Sequence, residues 1–252
     1  MPPVVKVLFV GANMEFQDEL LLSEEFEILQ EAFVKGCREK RSDVVESVQF
    51  DLRFWRTGML GKKIGRIKPT IMVLACHGED ASGKDGAGLY ISNLGSGFVD
   101  DDTLLRNILS SNQEVDPEKR IRLLVINACK SADLAKKFHL GGDFAGQHLK
   151  GIEFVIGHGI SVEETAVHGF SEALFSNLGH GKSLHKTFFN AENASRLTTH
   201  PGNASSRLVE GYQLFQVFFD SRHGGERCRA GQARSQDSVR RDEEGCEKVS
   251  SA

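Results

Sequence analysis

A chain of 252 residues is long enough for one large domain or two small ones, and either can bury a proper core. Its formal net charge of −4 points to no nucleic acid and no anionic membrane as the main partner. No apolar run approaches the roughly 20 residues that a bilayer span requires.

Met1-Pro2-Pro3 leads straight into a strand pattern, without the charged and then apolar leader of a secretory signal. The five cysteines, at 37, 76, 129, 228 and 246, are odd in number, widely spaced and lack a CxxC pair. Both features fit thiols in a reducing compartment, so the expected location is cytoplasmic.

Val4 to Val10 predicts a strand, and Gly11-Ala12-Asn13 turns out of it. Ser23 to Lys40 carries apolar or small residues at 26, 29, 32, 33, 36 and 37, the spacing of a helix with one buried face. Val44 to Phe50 predicts a second strand, and Asp51 to Ile64 a helix interrupted near Gly58 and Gly61. Thr70 to Ala75 is a third apolar strand, running into Cys76-His77-Gly78-Glu79. This β-α-β-α-β order implies right-handed crossovers and a parallel sheet.

Glu79 to Gly97, rich in Gly, Ser and Asp, reads as a surface loop with a small hairpin between Gly88–Ile91 and Phe98–Val99. Asp102 to Leu109 predicts a helix, followed by a connector containing Pro117. Ile121 to Ile126 is a short run rich in β-branched residues, the pattern of a buried strand, and it stops at Asn127-Ala128-Cys129-Lys130-Ser131. Ser131 to Leu140 predicts a helix aimed back at Cys129 and broken by Gly141-Gly142. Ile152 to Ile156 is another strand. Ser161 and Glu164 have the spacing of a capping box that opens a helix with Ala166, Val167, Phe170, Ala173, Leu174 and Leu178 on one face. Lys182 to Arg196 predicts its partner helix and Tyr212 to Phe219 a last strand. From Ser221 onward large apolar residues vanish, so residues 221–252 are expected to be a disordered polar tail after a single domain over 1–220.

Two strands thus end at reactive side chains, His77 and Cys129. His77 precedes Cys129 by roughly 50 residues, the separation of histidine and cysteine in caspases. Parallel neighbouring strands ending level would bring imidazole and thiol together, at the carboxyl edge where open α/β sheets place reactive groups. An imidazole beside a thiol favours the thiolate, the nucleophilic form. Gly78, lacking a side chain, would let a backbone amide approach a substrate carbonyl oxygen, with the Cys129 amide as a second oxyanion donor.

Other motifs carry less. Gly78 to Asp85 matches GxxxxGK, but Asp85 replaces the Mg²⁺-binding hydroxyl and no helical pattern follows, so a nucleotide site is unsupported. Cys76 and His77 are strand neighbours pointing to opposite faces, which suits no shared metal ion; Cys76 reads as a core residue, and neither metal nor cofactor is expected. His158, His168, His180 and His185 read as solvated, His158 standing just past a strand end.

The blocks VLFVGAN at 7–13, VLACHG at 73–78, LLVINACKS at 123–131 and FVIGHGISVEETAVHGFSEALFSNLGHGKSLHKTF at 154–188 resemble the CHAT domain, of the caspase-like (clan CD) cysteine peptidase superfamily. The resemblance covers about residues 4 to 220. It implies an α/β caspase-hemoglobinase sandwich with a mainly parallel sheet between helices. It also implies a cysteine endopeptidase in which His77 is the general base and Cys129 the nucleophile, working through a thioester on a protein or peptide substrate. Cys76 departs from the small residue more usual before the histidine, and Asn127 from the Asp with which metacaspases receive a basic side chain. A catalytically inactive signalling scaffold that binds a regulatory protein partner is the alternative, and a nucleotide-binding α/β module a third.

Overall fold

Side chains along each inner strand alternate between two separate apolar cores, and this alternation builds the molecule as three layers. A computed structural model describes residues 5–12, 20–40, 48–54, 59–79, 88–90, 98–159, 164–199 and 215–219. The polar stretch expected to be a tail, 221–252, lies outside the described residues, as does Ser161 of the expected capping box.

The central sheet runs β11-β10-β7-β3-β1-β2, with β1 (Val5–Gly11), β2 (Val48–Phe54), β3 (Ile71–Ala75), β7 (Leu123–Asn127), β10 (Phe154–His158) and β11 (Phe215–Phe219). All neighbours are parallel except β10 and β11, which are antiparallel. Val7, Phe9, Ile71, Val73, Leu123, Val125 and Ile156 face one core, completed by α1 (Leu22–Lys40), α5 (Glu164–Gly179) and α6 (Leu184–Thr199). Leu8, Val10, Met72, Leu74, Leu124, Ile126 and Val155 face the other, under α2 (Leu60–Ile67), α3 (Asp101–Gln113) and α4 (Ala132–Leu140). Burial on both faces is why these strands read as continuous apolar runs rather than alternating ones.

A second, three-stranded antiparallel sheet joins β4 (His77–Glu79), β5 (Gly88–Tyr90) and β6 (Phe98–Asp100), so the expected hairpin gains a strand that starts at His77. Asp100 caps α3, its carboxylate accepting from the Thr103 backbone N–H at 3.0 Å.

Three expectations are corrected. The second strand, Val48–Phe54, runs on past Phe50 where a helix is expected to have begun, and the helix described after it is Leu60–Ile67. Gly141-Gly142 do not simply end α4; they open a hairpin of β8 (Gly141–Phe144) and β9 (Gln147–Lys150), turned at Ala145 and Gly146, both at positive φ (50° and 82°). That pair of left-handed residues suits the twist of a two-residue hairpin loop. The strand predicted as 152–156 is shifted to 154–158, which carries His158 into the sheet.

Helices α1 and α5 pack at glycine distance. A Cβ on Gly36 would collide with the Ser176 carbonyl oxygen, and one on Gly179 with that of Phe33. Gly36→Ala or Gly179→Ala is therefore expected to cost about 1–3 kcal/mol through overpacking. Thermal unfolding should show each lowering Tm by roughly 2–4 °C per kcal/mol. Gly65→Ala, in α2 with nothing within 4 Å of the added carbon, should leave Tm unchanged or raise it.

Candidate active site

Strands β3 and β7 pair in parallel register from Ile71↔Leu123 to Ala75↔Asn127, so His77 and Cys129 both lie two residues beyond the last pair. The pairing carries on past the strands: the Cys76 amide donates to the Asn127 carbonyl oxygen at 3.2 Å. Gly78 then passes directly over the turn at Cys129. A Cβ there would collide with the Cys129 carbonyl oxygen and come within 3.3 Å of its amide nitrogen. Glycine at 78 is thus required by a close backbone approach. Both His77 and Cys129 are half-buried, whereas Cys76 is 4% exposed and belongs to the α2–α4 core. Burial pushes the Cys76 thiol up, with Glu25 and then Cys129 adding to it, so Cys76 stays protonated and packs.

The turn itself is anchored on its far side. Lys130 adopts a left-handed φ of 53°. Ser131 is buried, and its hydroxyl donates to the Ile126 carbonyl oxygen at 3.1 Å and accepts from the His158 amide at 3.0 Å. One side chain therefore ties the end of β7 to the end of β10. Gly157 lets that join close, since a Cβ would lie 2.8 Å from both the Ser131 carbonyl oxygen and the Ala135 Cβ.

Beneath the turn lies a polar cluster that the sequence reading does not contain. Asn127 continues the alternation of Leu123 and Val125, so it faces α1 and α5. Its Nδ2 donates to the Glu25 carboxylate and, at 3.2 Å, to Ser171 Oγ; the Ser171 hydroxyl donates to Glu25 Oε1 at 3.4 Å. His158 lies on the same face through Phe154 and Ile156, and its Nε2 stands 3.4 Å from Asn127 Oδ1. A carbonyl oxygen only accepts, so Nε2 carries the proton. Glu25 is 5% exposed, Asn127 6% and His158 0%.

His158 is thus not solvated, and the correction has a chemical consequence. Burial pulls its pKa down to about 3, so it is a neutral imidazole at any physiological pH. Of the other three histidines expected to be solvated, His180 is half-buried and paired with Glu39 at 2.8 Å, His168 is half-buried, and His185 is exposed. Burial pushes the Glu25 carboxyl up to about 7, against the lowering hydrogen bonds of Asn127 and Ser171, with Glu164 repulsion adding to the rise. Glu164 is also engaged locally, accepting from the Leu21 amide at 2.6 Å.

These two groups act on stability with opposite sign. Glu25 keeps its proton when folded and loses it near 4.5 when unfolded. Its contribution is therefore lost as pH rises from about 4.5 to 7, by about 3 kcal/mol. Unfolded His158 binds a proton near 6.5 that the folded protein refuses, so its contribution is lost as pH falls from about 6.5 to 3. Glu25→Gln removes only the first effect. Urea unfolding should find it about 2–3 kcal/mol more stable than wild type at pH 8 and equal at pH 4.

No protein-family model matches the chain, and no curated protein does. Solved structures do. The Arg-specific cysteine proteinase gingipain R superposes with a TM-score of 0.52 at 10% identity, covering 85% of this chain and 46% of that one. The Drosophila initiator caspase Dronc gives 0.50 at 9% identity, covering 84% and 79%. The chain thus spans about half the length of the gingipain chain. The architecture is that of caspase-like cysteine peptidases.

Proposed function

We propose that the chain is a CHAT-type, caspase-like cysteine endopeptidase whose nucleophile is Cys129 and whose general base is His77. The observation that carries this reading is the level ending of β3 and β7, with Gly78 packed on the Cys129 backbone. Two residues of the types that nucleophilic catalysis needs are delivered to one sheet edge by separate strands, and both keep some exposure. Likeness in fold to two cysteine peptidases supports it.

In this reading His77 takes the thiol proton, and the Cys129 sulfur attacks a peptide carbonyl. Backbone amides of Gly78 and Cys129 receive the oxyanion, each such donor being worth about 3–4 kcal/mol. The amine leaves with the proton from His77, and water then hydrolyses the thioester. The substrate is a protein or peptide. No described helix is long and apolar enough to cross a membrane, and the proposed setting is the cytoplasm. His158, neutral and buried, is placed for support rather than proton transfer.

An iodoacetamide-type alkylator should label half-exposed Cys129 at least about tenfold faster than buried Cys37, as expected for an activated against a structural thiol. A peptide-library digest should show cleavage that Cys129→Ala and His77→Ala each abolish. Fast, His77-dependent labelling without cleavage of any library member would instead favour the inactive scaffold that binds a protein partner.

A further inference from the structure

The side chain two residues before the nucleophile is held by a buried acid, and nothing in the catalytic reading uses that acid. Glu25 projects from the first turn of α1 into the base of the sheet's carboxyl edge, where Asn127 and Ser171 both donate to its Oε1. Asn127 is in turn held from the opposite side by His158 Nε2. The Asn127 side chain therefore has one orientation, and the backbone that follows it is Ala128-Cys129.

We propose that Glu25 is a positioning residue for Cys129, gripping it through Asn127, and that the charge Glu25 carries or lacks sets how readily Cys129 reacts. The hydrogen bond from Asn127 survives loss of the Glu25 proton, because an ionised carboxylate accepts at least as well as a neutral one. What changes is the field. An ionised Glu25 places a negative charge below the strand ends, opposing a thiolate there. Its reach is visible at Cys76, where Glu25 raises the thiol's pKa.

The groups that bear on Glu25 come from several elements. They are Asn127 from β7, Ser171 and the like-charged Glu164 from α5, Cys76 beyond β3, and His158 from β10 by way of Asn127. None of the described lysines or arginines is among them. Deprotonation is therefore uncompensated by any described cation, and it falls near neutral pH, where a Cys–His pair works.

The inference rests on Cys129 being the nucleophile but not on peptide cleavage, so alkylation tests it apart from proteolysis. The test follows the iodoacetamide rate at Cys129 in the full chain, by peptide mass mapping, from pH 5.5 to 9. Wild type should show two inflections, one near 7 belonging to Glu25. Glu25→Gln keeps an acceptor for Asn127 but no charge. It should lose the inflection near 7 and react roughly three- to tenfold faster than wild type above pH 8, with equal rates below 6. Ser171→Ala removes a donor that lowers the Glu25 pKa and should move the inflection to higher pH. Glu25→Ala, which also removes the acceptor, should likewise lose the inflection near 7 but label more slowly than Glu25→Gln at every pH.

Profiles of wild type, Glu25→Gln and Ser171→Ala that superimpose would overturn the inference while leaving a fast Cys129 intact. Cys129 labelling no faster than Cys37 would overturn the nucleophile, and the inference with it. Should Glu25→Gln fail to fold, the Ser171→Ala shift still decides.

Discussion

One close approach governs this molecule: the backbone of Gly78 rests on the backbone of Cys129 with no room for a methyl group between them. Parallel pairing of β3 with β7 sets the level of the two chains, and the contact converts that level into proximity of residues. Any side chain at 78 would have to lift the β4 segment, and His77 with it, away from the turn. The small sheet of β4, β5 and β6 holds the segment from outside. Ser131 does the same for the turn from inside, bonding the ends of β7 and β10 at once. The segments that carry His77 and Cys129 are therefore clamped from both sides by backbone and by one hydroxyl.

A buried carboxyl and a buried imidazole below such an edge are expensive. Each costs stability in a different pH range, Glu25 above about 4.5 and His158 below about 6.5. Between those values the losses run in opposite directions, since lowering the pH relieves one group as it strains the other. Stability should then vary less with pH over this interval than either group alone would impose. Apolar residues at 25 and 158 would avoid both costs, as Leu and Ile do elsewhere on the same strands and helix. The polar groups are concentrated where Asn127 is held, which is where a structure trades stability for a defined geometry.

Much of this was legible in the sequence, and the misses share a cause. The inner strands announced themselves because burial on both faces demands unbroken apolar runs. Strand β2 lies at the sheet edge, and Val48-Gln49-Phe50-Asp51-Leu52-Arg53-Phe54 alternates instead; its Asp and Arg look like a helix beginning. The hairpin at 141–150 turns on Ala-Gly rather than the Asn-Gly that signals such loops. His158 looks placed past a strand end because the apolar run stops at Ile156, although the inward face continues two residues further along the same alternation. The pairing of β3 with β7, by contrast, is as expected from two apolar runs that stop at a histidine and a cysteine some 50 residues apart.

Glu25 is the instructive miss. With Glu24 and Glu27 beside it, it resembles the acidic first turn of any solvated helix, a common answer to the helix dipole. Yet Leu22, Glu25, Leu29 and Ala32 follow one another at steps of three and four, and all four are buried. A carboxylate inside the apolar stripe of an amphipathic helix is the anomaly that periodicity can expose. Such a residue must meet a partner able to donate, and the partner must come from an element the helix covers. Strand ends are the places where sheets offer side-chain amides and hydroxyls rather than methyl groups. A charge in phase with the core is thus a pointer to the sheet's carboxyl edge, and here it leads to Asn127, two places before the Cys129 thiol.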